Sequence, residues 1–315
     1  MIKFENKLEV LFSERLFHNN IYYDRYLSKD SFLVLTTRDE ITIYKIIENA
    51  FDNDLKKFFD YKLEKFQVLS DFDEIRKVQT LIGGAFFVLD RYSLYYCYFN
   101  REDKYVKKEW GSGQIDLFAH NNDDCWVVVQ GRDLKFNLFS EDMVTPVREN
   151  AHNSEITCVD YNFMVGVATG DENGIIKHWT GFGKNCLNEF NDFRSPIYYL
   201  KLIDEPKRLI ASDNRSVYIY NLQSGIIDIE IPQLNSRINN IYHYKYRDSR
   251  EGTFEFLFVT YNDGTLKVWD IINGRLEKEY DEFSYSNPAI AVTKLKFLDV
   301  AILSKDGIYL QKNYA

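Results

Sequence analysis

The chain has 315 residues, 16% of them aromatic and 28% charged, with 24 Phe and 23 Tyr. That balance of large apolar and charged side chains describes a folded globular chain and argues against disorder. Lys plus Arg total 39 against 48 Asp plus Glu, and the net charge of −9 repels phosphate backbones, which disfavours direct nucleic-acid binding.

The N-terminal "MIKFENKLEV" carries Lys3, Glu5, Lys7 and Glu9, so it cannot be the apolar core of a signal peptide. No apolar run approaches the roughly 18 residues that span a bilayer. Residues 7–14, "KLEVLFSE", read instead as a strand. Next comes a pattern of apolar strand, short polar turn and second strand, "SFLVLTTRDEITIYKI" over 31–46. It is followed by "IIENAFDNDLKKFFDYKLEKF", where Ile47, Phe51, Leu55, Phe58 and Phe59 fall at helical spacing, so an inserted helix is expected over 47–63.

The strand–turn–strand pattern then recurs. It reads "AFFVLDRYSLYYCYF" over 85–99, "CWVVVQGRDLKFNLF" over 125–139 and "VGVATGDENGIIKHW" over 165–179. "RLIASDNRSVYIYNL" (208–222), "FEFLFVTYNDGTLKVWDI" (254–271) and a last copy over 300–311 complete seven. The second strand of each pair starts near Ile41, Leu94, Leu134, Ile175, Val217, Thr265 and Ile308, with spacings of 53, 40, 41, 42, 48 and 43. A period near 42 leaves room for two flanking strands per unit, and stretches such as "ITCVDYN" (156–162) and "CLNEFND" (186–192) supply them. Seven four-stranded units are the arithmetic of an all-β, seven-bladed β-propeller. The last unit runs out of chain after its third strand, so the 7–14 strand is expected to complete it and close the ring as part of one domain over 1–315.

"GDENGIIKHWTGFGKNCLNEF" (170–190) and "NDGTLKVWDIINGRLEKEY" (262–280) resemble the repeat of the WD-repeat propellers, with "DNRSVYIYNLQSGIIDIEI" (213–231) a weaker copy. In that family a His before the first strand, an Asp in the central turn and a Trp in the third strand are joined by hydrogen bonds. The fourth unit offers His152 and Trp179 but Asn173 at the turn position. The sixth offers Asp263, Trp269 and Asp270 without a matching His. No unit is expected to be complete, which marks a degenerate member. His152, Trp179, Asp263 and Trp269 are structural in this reading, holding blades together.

Chemistry-bearing motifs are missing from the linear sequence. There is no GxSxG elbow, HExxH pair or Walker loop, and "GFGKNC" (181–186) falls in a strand-to-strand turn. His18, His120, His152, His178 and His243 never reach metal-ligand spacing, so neither metal nor cofactor is expected. Cys97, Cys125, Cys158 and Cys186 form no CxxC pair and read as free thiols of a reducing compartment, cytoplasm or nucleus. The rival to a non-enzymatic scaffold is an esterase-like propeller hydrolase with its site at the central channel.

Partner binding then falls to the loops. The central turns place Arg38, Arg91, Arg132, Arg215 and Lys305, and the loops joining units add Arg194, Arg237 and the "FSYSNP" segment around Tyr285. Such a partly basic rim suits an acidic or phosphorylated peptide, although Asp39, Asp90, Asp133, Asp213 and Asp306 adjoin the turn cations. Phe51, Leu55 and Phe58 of the expected helix are a second candidate surface. The sequence therefore reads as a scaffold or adaptor that binds other proteins within an intracellular multiprotein complex.

Overall fold

The computed structural model describes residues 3–4, 9–12, 20–26, 30–48, 51–52, 57–58, 61–81, 85–100, 102, 104–112, 115–120, 125–138, 147–181, 183–232, 235–248, 252–295 and 299–314. Among them lie seven four-stranded antiparallel sheets and no helix. The fold is a seven-bladed β-propeller. Blade one is Asn20–Tyr26, Asp30–Thr36, Ile41–Glu48 and Tyr61–Leu69. Blade two is Lys77–Leu81, Ala85–Leu89, Ser93–Phe99 and Tyr105–Ser112, and blade three Leu117–His120, Cys125–Gln130, Asp133–Leu138 and Val147–Arg148. Blade four is Ile156–Asn162, Gly166–Asp171, Ile176–Trp179 and Cys186–Phe190, and blade five Tyr199–Ile203, Arg208–Ser212, Val217–Asn221 and Ile227–Ile231. Blade six is Ile238–Asp248, Gly252–Tyr261, Leu266–Asp270 and Arg275–Tyr280.

Blade seven takes Ala289–Lys294, Val300–Ser304 and Gly307–Gln311 from the C-terminal end and its fourth strand, Glu9–Phe12, from the N-terminal end. That strand pairs antiparallel, Glu9 with Leu310 and Phe12 with Ile308. Residues 7–8 and 13–14 of the expected strand lie outside the described residues. The chain divides into two compact bodies. One comprises residues 1–91, 95–110 and 238–315, the other 92–94 and 111–237.

Burial explains the sequence pattern within each blade. The second strands Ala85–Leu89, Arg208–Ser212 and Val300–Ser304 are buried at every residue, hence their apolar runs, and in Val300–Ser304 blades six and one cover the two faces. The fourth strands of blades four to six are largely exposed, and Asp228 and Glu230 stand in solvent on the outer strand of blade five. In the first body, Leu33, Leu35 and Tyr44 of blade one pack with Ala301, Leu303 and Ile308 of blade seven. Phe256, Phe258 and Val268 of blade six meet Val292 and Ile302 from the other side of blade seven. In the second body, Ile176, Phe190 and Phe193 pack on Leu200, Leu209 and Tyr220. Each fully buried Val, Leu, Ile or Phe contributes about 1.5–3 kcal/mol, and such residues make up most of these seams. Polar staples fix the seams laterally. The Gln67 side chain of blade one donates to the Tyr105 carbonyl and accepts from the Tyr105 N–H of blade two, both at 2.8 Å. Tyr280 of blade six donates to buried Gln311 of blade seven at 2.8 Å.

The expected helix over 47–63 is overturned. Ile47 and Glu48 extend the third strand of blade one, Phe51–Asp52 pairs with Lys57–Phe58, and 61–63 open the fourth strand. Isoleucines and aromatics that fit a helical stripe fit a strand at least as well. Asp and Asn, frequent in this stretch, bond their own backbone outside helices and so disfavour a continuous helix.

Candidate interaction surface

In blades one, three, four and six, the turn between second and third strands meets the loop that leads to the next blade. The sequence requires that approach. Gly174 in the blade-four turn has φ +82°, and a Cβ there would sit 2.7 Å from the Phe193 carbonyl oxygen. Gly264 in blade six repeats the arrangement at φ +91°, closed over by Ser284 and Tyr285. No side chain fits beneath either loop.

Blade four carries a complete hydrogen-bonded chain that starts from His152 in the loop entering it. The Trp179 indole N–H donates to Thr169 Oγ1 at 2.8 Å, Thr169 meets His152 Nε2 at 2.7 Å, and His152 Nδ1 meets Asp171 at 3.0 Å. All four side chains are buried. A neutral imidazole with its proton on Nδ1 satisfies every partner, Thr169 donating to Nε2 and Asp171 accepting from Nδ1. Burial holds His152 below its usual pKa of 6.5 despite the opposing pull of Asp171. The other Asp171 oxygen accepts from the Asn173 and Ile175 N–H groups at 3.0 and 2.9 Å and so shapes the turn. The expectation that blade four lacks its carboxylate at Asn173 is corrected: the acid is Asp171, at the end of the second strand. The Asp at the start of "DENG" was the available signal.

In blade six, Asp263 accepts from the Thr265 N–H and hydroxyl at 3.0 and 2.7 Å, fixing its own turn. Trp269 is buried, and Asp270 shapes the next turn by accepting from Ile272 and Asn273. Blade five replaces the His with Ser195, whose hydroxyl donates to Asp213 at 2.5 Å.

The expected partner-binding residues occupy these junctions. Arg38, Arg91, Arg132 and Arg215 sit exposed in the central turns of blades one, two, three and five, and half-buried Lys305 in that of blade seven. Arg194 and Arg237 are exposed in the loops after blades four and five, and Tyr285 in the loop after blade six is 85% exposed. Arg38 reaches Glu74 at 3.8 Å, and Arg132 donates to the Asn153 carbonyl at 3.4 Å. The neighbouring acids face backbone N–H groups: Asp90 accepts from Asp73, Asp133 from Asn150, and Asp213 from Arg215 and Ser216. Phe51 and Phe58 belong to short paired strands, their side chains outside the described residues, as is Leu55. Tyr198, unforeseen from sequence, is 59% exposed just before the first strand of blade five. Among the described residues no three His, Cys, Asp or Glu side chains group to hold a metal ion, and no helix is long and apolar enough to cross a membrane.

The family model "WD domain, G-beta repeat" matches residues 145–180, the stretch that holds His152, Asp171 and Trp179. No curated protein sequence matches the chain. Among solved structures, it is similar to Sqt1 of Chaetomium thermophilum bound to the N-terminus of the ribosomal protein L10. The TM-score is 0.67 at 13% identity, covering 95% of this chain and 84% of that one. A second structure of the same Sqt1 gives 0.67 at 14% identity, covering 94% and 83%. At such identity the likeness is one of fold.

Proposed function

We propose that this WD-repeat β-propeller is a non-enzymatic protein–protein interaction scaffold, one domain serving as a subunit or adaptor of an intracellular multiprotein complex. The observation that carries the reading is where its most exposed tyrosines lie. Tyr92, Tyr198 and Tyr285 are 59%, 59% and 85% exposed, each in a central turn or joining loop. Tyr is enriched in binding hot spots because one rigid ring supplies a large contact area and a polar tip. The Sqt1 structure with a ribosomal-protein segment supports a peptide or protein partner, since a similar fold is there engaged by one.

Affinity purification of the full chain from its native cell, followed by mass spectrometry, tests the reading. A reproducible set of stoichiometric partners is expected. A chain that elutes alone at native abundance overturns it. Charge reversal at Arg132 and Arg215, with Tyr285→Ala, maps which junctions those partners use.

A further inference from the structure

Of the cations at these junctions, Arg194 and Arg215 are joined through one carboxylate, Asp213. Arg194 and Arg215 are exposed, and among the described residues their guanidiniums have neither an ion-pair nor a hydrogen-bond partner. Their backbones are tied together by a short chain of bonds. Ser195, next to Arg194, donates its hydroxyl to Asp213 at 2.5 Å, and the other Asp213 oxygen accepts the Arg215 N–H at 2.8 Å. Tyr198 joins the same junction: its N–H donates to the Ser212 carbonyl at 2.9 Å while its ring stays in solvent. Two unoccupied forks and an exposed ring therefore stand on anchored backbone.

We infer that this junction of blades four and five binds a peptide through a discrete anionic group, a phosphate or a pair of adjacent carboxylates. The inference rests on the scaffold reading and deepens it. A guanidinium presents parallel donors matched to two oxygens of one anion, and backbone anchoring reduces the entropy lost when the pair engages. Tyr198 offers a flat neighbour for the peptide chain. The charge around the forks excludes the other polyanion class. Asp192, which accepts from Tyr220 at 3.0 Å, Asp213 with its three donors, and exposed Glu172 keep the local field near neutral. A nucleic-acid backbone depends on a broad positive field, whereas a single anion held by forks does not.

The test uses the full chain against a degenerate peptide pool made with central phosphoserine, with a central Glu-Glu pair, and with plain serine, plus an oligothymidylate. Retention of the phosphoserine or Glu-Glu pool over the serine pool is expected, and which of the two is retained identifies the source of the anion. Arg194→Glu with Arg215→Glu should weaken that retention by at least about tenfold. Arg38→Glu, at a cation already paired, should leave it intact. Arg194→Lys with Arg215→Lys keeps charge and fold but removes both forks, and should lose several-fold. Equal retention by the Glu variant, full retention by the Lys variant, retention of oligothymidylate alone, or retention of neither anionic pool overturns the inference. Native partners captured equally by wild type and the Glu variant would remove this site while leaving the scaffold standing. A wild type that captures none removes the scaffold itself.

Discussion

Blades four and six share a turn, a buried Trp and a glycine beneath the joining loop, yet they are held differently. Register aligns Gly170 with Thr260 and Ile176 with Leu266, so Trp179 matches Trp269 and Asn173 matches Asp263. The position of Asp171 is then Tyr261, and that of Thr169 is Val259. In blade four the carboxylate closes the second strand and reaches the joining loop through His152. In blade six the carboxylate sits two residues later and reaches only its own turn. The difference teaches that a Trp-Asp signature marks a position in a blade without fixing what bonds to it. The hydrophobic seam is the constant, and the polar link across the junction varies from blade to blade.

The sharpest way to break the comparison is at the buried Trp. Trp179→Ala should cost about 3–5 kcal/mol, from a large cavity plus the lost donor to Thr169, read as a fall in the urea midpoint. Next, Asp171→Ala strands His152 and two turn N–H groups and should cost about 3 kcal/mol, whereas Asp263→Ala, at an exposed turn, should cost about 1 kcal/mol or less. Equal losses would mean the two blades are held alike after all.

The third prediction concerns acid. His152 and His178 both lie in the blade-four region, and burial lowers both pKa values from 6.5. His178 Nε2 meets the Val165 carbonyl at 3.0 Å and its Nδ1 the Asn188 amide nitrogen at 3.3 Å, with Lys207 a further opposing charge. Below pH 6.5 the unfolded chain takes up protons that the folded chain refuses. Stability should therefore decline as pH falls from about 6.5 toward the folded values and level off beneath them. Asn188→Asp gives protonated Nδ1 an acceptor and should lessen the decline; an unchanged pH profile would sink this account of His178. A similarly small effect is expected in blade five, where Ser195→Ala removes a single bond to Asp213 and should cost about 1 kcal/mol in the same urea measurement.

The repeat was legible because it is written in backbone terms. Third strands begin at Ile41, Ser93, Asp133, Ile176, Val217, Leu266 and Gly307, each within one residue of its expected start. Apolar runs and Asn/Asp/Gly turns survive erosion, since strand pairing and positive φ demand them. The side-chain network was not legible. Asp171 and Asn173 are two residues apart in one turn, and only register shows which faces His152. The stretch after Ile46 failed for a related reason, because Phe, Tyr and Ile at mixed spacing satisfy a helical stripe while preferring extended backbone. Turn cations could be located but not sorted. Whether a guanidinium is engaged, as at Arg38, or open, as at Arg215, depends on neighbours distant in sequence.

Gln67 carries a consequence for how this protein ages. Its side chain acts toward Tyr105 as a strand residue would, giving one donor and taking one. Deamidation to Glu would substitute an anionic acceptor for that donor and set it against the Tyr105 carbonyl. The Tyr105 carbonyl would then lose its donor while its N–H kept an acceptor, opening the strand edge to another chain as bare edges do. One slow hydrolysis, without any change in the gene, would turn a sealed seam into a sticky one.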